Sequence, residues 1–352
     1  MGEIAVGKGN WANASARSKA RKAKLIDETR MRQLMVQGPD TIAATIGEIG
    51  YRKELDIYAG RLGGADLIEA ALSHNLDREL KEVLGYCQGR LGRIVAVFAT
   101  RFSYMNAKTV LRAVRTGVSS EDLANMVMPE ENALNTPWLE IARNCETLGD
   151  AAHAMRGTPW GAGIAMLDAD ASLQEYEDAL DRHYYDDAIS ALQSSGKQHR
   201  RLLIMLRTEI DHRNIINLLR ALRQDISGDQ RADLMLKGGQ ALRGNMLRSA
   251  AAADSDDALI DVLRRIPNLD TAALEDAMAA AKSAGGLDPV VSALAHERRE
   301  ALRRLSHLNP LSAFPVIHYI ESKVLEVQNL RLLVRGKAAG LSDEVIKAHM
   351  EI

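Results

Sequence analysis

Three times along this chain an Asn is followed six residues later by an Arg and then by a small residue: Asn106 with Arg112-Ala113, Asn214 with Arg220-Ala221, and Asn329 with Arg335-Gly336. Seven residues past each Arg stands a Ser (Ser119, Ser227, Ser342), with an aliphatic residue before it (Val118, Ile226, Leu341) and an acid two positions on (Glu121, Asp229, Glu344). The copies lie 108 and 115 residues apart. A pattern recurring at such offsets restricts the chain to one helical module used three times.

Asn is a poor helix-interior residue, because its amide competes with the backbone for hydrogen bonds. Its presence at one phase of three apolar helices predicts a buried partner for each amide. Val110, Leu218 and Leu333 follow one turn later on the same face. Ala113, Ala221 and Gly336 come next, all small enough to admit a second helix closely. The Arg projects from another face, so Asn and Arg are not each other's partners. The Ser is placed to cap a following helix, whose first-turn acid complements the helix dipole.

The recurrence extends outward. Glu69-Ala-Ala-Leu72 and Glu177-Asp-Ala-Leu180 are again 108 residues apart. Asp40 to Tyr51, Asp150 to Trp160 and Asp257 to Pro267 each read as a short Ala/Leu-rich helix and a turn. Units therefore fall at 98–205 and 206–320, and 321–352 together with 1–97 makes the third, closed by packing of the two chain ends.

Helices are predicted at 11–36, 40–49, 65–87, 89–116, 120–127, 135–155, 172–194, 197–225, 239–251, 255–265, 270–284, 288–306, 311–337 and 342–350. The chain is 46% hydrophobic but only 4% aromatic, a balance that favours helices over strands. The expected fold class is all-α. A net charge of −2 gives no general attraction to nucleic acid or anionic lipid. Cys87 and Cys145 lack metal-ligand spacing, no apolar run reaches membrane-spanning length, and the N-terminus does not read as a signal peptide.

No pattern of residues points to chemistry. Val6-Gly-Lys-Gly9 lacks the rest of a phosphate loop, and His296-Glu-Arg-Arg-Glu300 lacks the second His of a zinc-protease helix. His183-Tyr-Tyr-Asp186 on a helix points in several directions and forms no converging acid–base site. No catalytic residue, cofactor or metal ligand is expected, nor a small-molecule or nucleic-acid partner. The local charge features are the basic run with Arg17, Lys19, Arg21, Lys22 and Lys24, and the segment Arg298, Arg299, Arg303 and Arg304. These are candidates for partner contact, set against the plainer reading of solvated helix faces.

The C-terminal copy carries a resemblance. Pro310-Leu-Ser-Ala-Phe-Pro315, Tyr319-Ile-Glu-Ser-Lys323, Glu326-Val-Gln-Asn329-Leu-Arg331 and Arg335-Gly-Lys337-Ala-Ala-Gly340-Leu-Ser342 resemble the signature of the C subunit of archaeal-type (A/V-type) ATP synthases, a family that includes the d subunit of vacuolar ATPases. His183-Tyr-Tyr-Asp186, Ile210-Asp211-His-Arg-Asn214 and Trp11-Ala-Asn-Ala-Ser-Ala-Arg17 extend the similarity along the chain. The resemblance implies a funnel-shaped, pseudo-threefold socket of three helical-bundle domains, without an active site. It would join the central shaft to the membrane proteolipid ring, peripheral on the cytoplasmic side, and transmit torque between ATP synthesis or hydrolysis and ion translocation. The alternative is a helical-repeat scaffold for other protein partners, although scaffold repeats run at about 34–47 residues.

Overall fold

The computed structural model describes residues 9–168, 170–194 and 199–351. Every regular element among the described residues is a helix, so the fold is all-α. Residues 6–8 of the Val6–Gly9 segment and 197–198 of the helix expected at 197–225 lie outside the described residues. In order, the α-helices are α1 (Trp11–Lys22), α2 (Glu28–Met35), α3 (Pro39–Ile46), α4 (Arg52–Tyr58), α5 (Gly64–Tyr86), α6 (Gly89–Thr116), α7 (Ser120–Met126), α8 (Thr136–Asn144), α9 (Leu148–Ala154) and α10 (Leu173–Ser194). There follow α11 (Arg200–Arg223), α12 (Gly228–Leu234), α13 (Gly244–Ala252), α14 (Asp256–Leu263), α15 (Thr271–Ala284), α16 (Asp288–Leu308), α17 (Phe314–Ala338) and α18 (Asp343–His349).

Capping chemistry explains where these helices differ from the expected ones. The segment 11–36 is two helices, because Asp27 adopts an extended conformation and its Oδ1 accepts the Arg30 N–H at 2.8 Å, starting a new helix. The segment 135–155 is likewise broken at Thr147, whose hydroxyl accepts from the Asp150 N–H while Asp150 accepts the Thr147 N–H. Beyond the helix expected at 40–49, a π-helical turn with Gly50 at φ 122° leads into α4, an additional helix.

Two compact units result. One contains the described residues up to His183 and from Asn309 onward; the other runs from Tyr184 to Leu308, and the division falls inside α10. In the first unit, Leu34, Ile42, Ile46, Tyr58, Ile68 and Leu72 share a core with Val327, Leu330, Leu333 and Ile346. Both ends of the chain thus meet in one apolar cluster, where each fully buried aliphatic side chain contributes about 1.5–3 kcal/mol. Helix α17 supplies the centre, buried on several sides from Phe314 to Gly336. In the second unit, Ile215, Leu218 and Leu219 of α11 pack with Leu259, Leu263, Leu274, Val290 and Leu294.

Candidate functional site

The recurrent segments adopt the same local structure. Each motif helix (α6, α11, α17) ends five residues past its Arg in a left-handed residue: Gly117 at φ 69°, Asp225 at 53° and Gly340 at 73°. The following N–H bonds back to the carbonyl of the small residue, as Val118 to Ala113, Ile226 to Ala221 and Leu341 to Gly336. Ser119, Ser227 and Ser342 then start seven-residue helices from extended conformations with ψ of 155°, 153° and 154°. Ser119 and Ser342 cap the backbone of Asp122 and Val345. The Ser227 hydroxyl instead bonds Gln230 Oε1 at 2.9 Å. Gly336 is required by close approach, since a Cβ there would stand 2.8 Å from Ile346 Cγ1.

The Asn amides serve this turn. Asn214 is fully buried, donates to the Leu236 carbonyl and accepts from the Leu236 N–H, both at 2.9 Å. Asn329 does the same with Glu351, at 2.8 and 3.2 Å. Each partner lies 22 residues on, just past the short helix. One amide thereby satisfies two backbone groups that burial would otherwise penalise by about 1–3 kcal/mol each. Asn106 is half-buried at the corresponding place.

The Arg residues face long helices. Arg112 forms a bidentate pair with Glu177 at 2.6 and 2.9 Å, and Lys108 pairs with Asp181 at 2.7 Å, so α6 is clasped to α10. At the other copy, Arg335 meets Asp66 at 2.7 Å and Glu69 at 3.5 Å, while Arg331 binds Glu69 and also Ser73 at 3.0 Å, clasping α17 to α5. Glu69 and Ser73 stand 108 residues before Glu177 and Asp181. The same clasp is therefore made once forward along the chain and once across its ends. Arg220 is exposed on α11. Asp66, Lys108, Asp181 and Arg331 were absent from the sequence candidates. The recurrence of Glu69 and Glu177 was the signal that could have found them.

Ionisable groups buried near the motif have structural partners. Glu326 Oε1 accepts from Tyr51 OH at 2.6 Å and Lys323 Nζ at 2.7 Å, and Oε2 accepts the Ile26 N–H at 2.6 Å. Burial, reinforced by the Glu326 carboxylate, holds the Tyr51 phenol well above its ordinary pKa. In the second unit, Asp211 stands at the position of Glu326 relative to its Asn and accepts the N–H groups of Ala241 and Leu242 at 2.7 and 3.0 Å. Burial raises the Asp211 pKa, and these bonds oppose the rise. Burial, with Arg298 nearby, pushes His212 down to about 4. Tyr185 donates to Glu209 at 2.9 Å, while His183 Nε2 sits 2.9 Å from the Pro159 carbonyl.

The basic candidates divide. Arg21 binds Glu79 and Glu82, and the Arg17 guanidinium lies 4.4 Å from the Tyr86 ring centre. Lys19 and Lys24 are exposed and Lys22 is half-buried. Arg298 pairs with Glu209 at 3.1 Å and Arg303 with Glu300 at 2.7 Å; Arg299 is half-buried and Arg304 exposed. No helix among the described residues is long and apolar enough to cross a membrane.

These features define an all-α protein built on a recurring helix–turn–helix clasp. The family model of the ATP synthase (C/AC39) subunit matches residues 14–349, and the chain belongs to that family. The A-type ATP synthase C subunit of Haloferax volcanii is 31% identical over 348 residues, covering 96% of each chain. The corresponding C subunit of Haloquadratum walsbyi is also 31% identical, covering 98% of this chain and 99% of its own. That of Methanococcoides burtonii is 28% identical, over 97% and 94%.

Proposed function

We propose that this chain is a non-catalytic central-stalk subunit of an A/V-type ATP synthase. It links the central shaft to the membrane proteolipid ring, on the cytoplasmic side, and carries torque between nucleotide turnover in the head and ion translocation. The three sequence units, at 98–205, 206–320 and 321–352 with 1–97, act as quasi-equivalent parts of a socket. The observation that carries this reading is the clasp made by Arg112 with Glu177 and again by Arg335 with Glu69 across the chain ends. Closing a repeat on itself removes free ends and favours stiffness, which a torque-bearing part needs more than an open solenoid does. Family membership supplies the complex; the buried acids, occupied by backbone and side-chain donors, fit a mechanical role. The test is purification of the complex in mild detergent through a tag on this chain. Shaft and ring proteins should be retained together, and retention of neither refutes the assignment.

A further inference from the structure

The three copies part company after their short helices. In two of them the residue that closes the short helix is extended: Met235 at φ −76° and ψ 145° after α12, and Met350 at φ −78° and ψ 140° after α18. That conformation delivers the backbone of the next residue, Leu236 or Glu351, to the Asn amide of the motif helix. After α7 the same position is Val127, at φ −135° and ψ −32°. The chain winds on there, so that the Leu123 carbonyl accepts the N–H groups of both Val127 and Met128, at 3.0 and 2.9 Å. Met128 stands 22 residues past Asn106 and is the counterpart of Leu236 and Glu351. With its N–H spent on Leu123, the Asn106 side chain makes no hydrogen bond among the described residues. Helix α12 packs on α11 and α18 on α17, while α7 packs mainly on α8.

The segment is held on its present course from the side away from Asn106. Arg61, just past α4, donates to Asn125 Oδ1 at 2.6 Å and to both carboxylate oxygens of Glu131 at 2.9 and 3.0 Å. Asn132 donates to Asp77 Oδ2 of α5 at 2.6 Å. We infer that residues 127–131 form a two-position latch. Rotation of Val127 into the extended conformation of Met235 and Met350 frees Met128 from Leu123 and hands its N–H and C=O to Asn106. The lead-in already matches the fastened copies, with Gly117 left-handed, Val118 bonded back to Ala113, and Ser119 at ψ 155°. Extended backbone is also the conformation a β-branched residue such as Val127 favours. Against the two bonds of the amide stand one backbone bond and the exposed Arg61 contacts, each weak, so the two arrangements lie close in free energy. An idle Asn within α6 would only weaken that helix relative to Ala; as the catch of a latch it has a use. One copy of the motif thus carries a releasable end where the other two are fastened.

The test uses the full chain by itself. Arg61→Ala removes the grip on Asn125 and Glu131 and should let the latch close. Hydrogen exchange of the Met128 amide should then be at least ~10-fold slower than in Arg61→Ala/Asn106→Ala, the size expected of two amide hydrogen bonds. With Arg61 kept, Asn106→Ala should change that rate less than ~2-fold. The carbon chemical shifts of Val127 should move toward extended values in Arg61→Ala and return in the double variant. Asn125→Ala/Glu131→Gln loosens the same grip from its other end and should give the same dependence on Asn106. A Met128 rate indifferent to Asn106 in both loosened chains overturns the inference, because the segment then merely frays. An Asn106 dependence of equal size with Arg61 in place overturns it too, because the amide is then engaged already.

Discussion

Replacing Glu326 by Gln tests whether the two ends of the chain are locked by a buried ion pair. The wild-type carboxylate holds Tyr51, Lys323 and the Ile26 N–H at 2.6–2.7 Å, with Lys323 and Glu326 side chains only 9% and 4% exposed. Glu326→Gln keeps one acceptor but leaves the Lys323 ammonium without a counter-charge. Such a loss costs about 3–5 kcal/mol, and the Tyr51 ring, 4.2 Å from Nζ, keeps the value at the low end. About 3 kcal/mol in a unit of this size corresponds to roughly 6–12 °C in melting temperature. The double variant Lys323→Met/Glu326→Gln removes the stranded cation and should recover most of that loss. Circular dichroism at 222 nm, with hydrogen exchange over α1–α5 to identify the unit that opens, measures both. A single variant melting within 2 °C of wild type, or a double variant no better than the single, refutes the reasoning.

Gly336→Ala should cost about 1–3 kcal/mol through overpacking against Ile346, seen as faster exchange in α18; unchanged exchange there contradicts the close approach. His212 binds its proton near pH 6.5 when unfolded but only at about 4 when folded. The Tyr184–Leu308 unit should therefore lose stability as pH falls from about 6.5 toward 4, by about 2 kcal/mol at pH 5. His212→Gln should flatten that loss in melts between pH 7.5 and 5, and equal losses in both chains would sink the claim. Burial raises the Cys87 thiol to about 11, so a disulfide reagent at pH 8 should modify half-buried Cys145 well before Cys87. Comparable rates for the two would show that Cys87 is not shielded as described.

The parts of the fold legible in the sequence are those governed by local chemistry repeated in register. The phase of Asn106, Asn214 and Asn329 marked three motif helices, and the Ser residues marked the next helix starts, because turn and cap geometry reside in a few adjacent side chains. Breaks within predicted helices were harder. Asp27 lies in a charged run where any acid resembles a surface residue, and only its extended backbone reveals it as a cap. The Thr147-x-x-Asp150 capping box was readable but hidden by the apolar pattern around it. Long-range pairs such as Arg331 with Glu69 carry no signal in their separation, and become visible only when one copy is laid on another.

The sharing of one core by the two ends also sets an order of events at the ribosome. Leu34, Ile42 and Leu72 leave the exit tunnel between 255 and 299 residues ahead of Val327 and Leu333, at about 5–20 residues per second. For tens of seconds the nascent chain carries an apolar face whose cover has not been translated. A premature stop before α17 consequently leaves the earliest-made helices without the side chains that cover their apolar face.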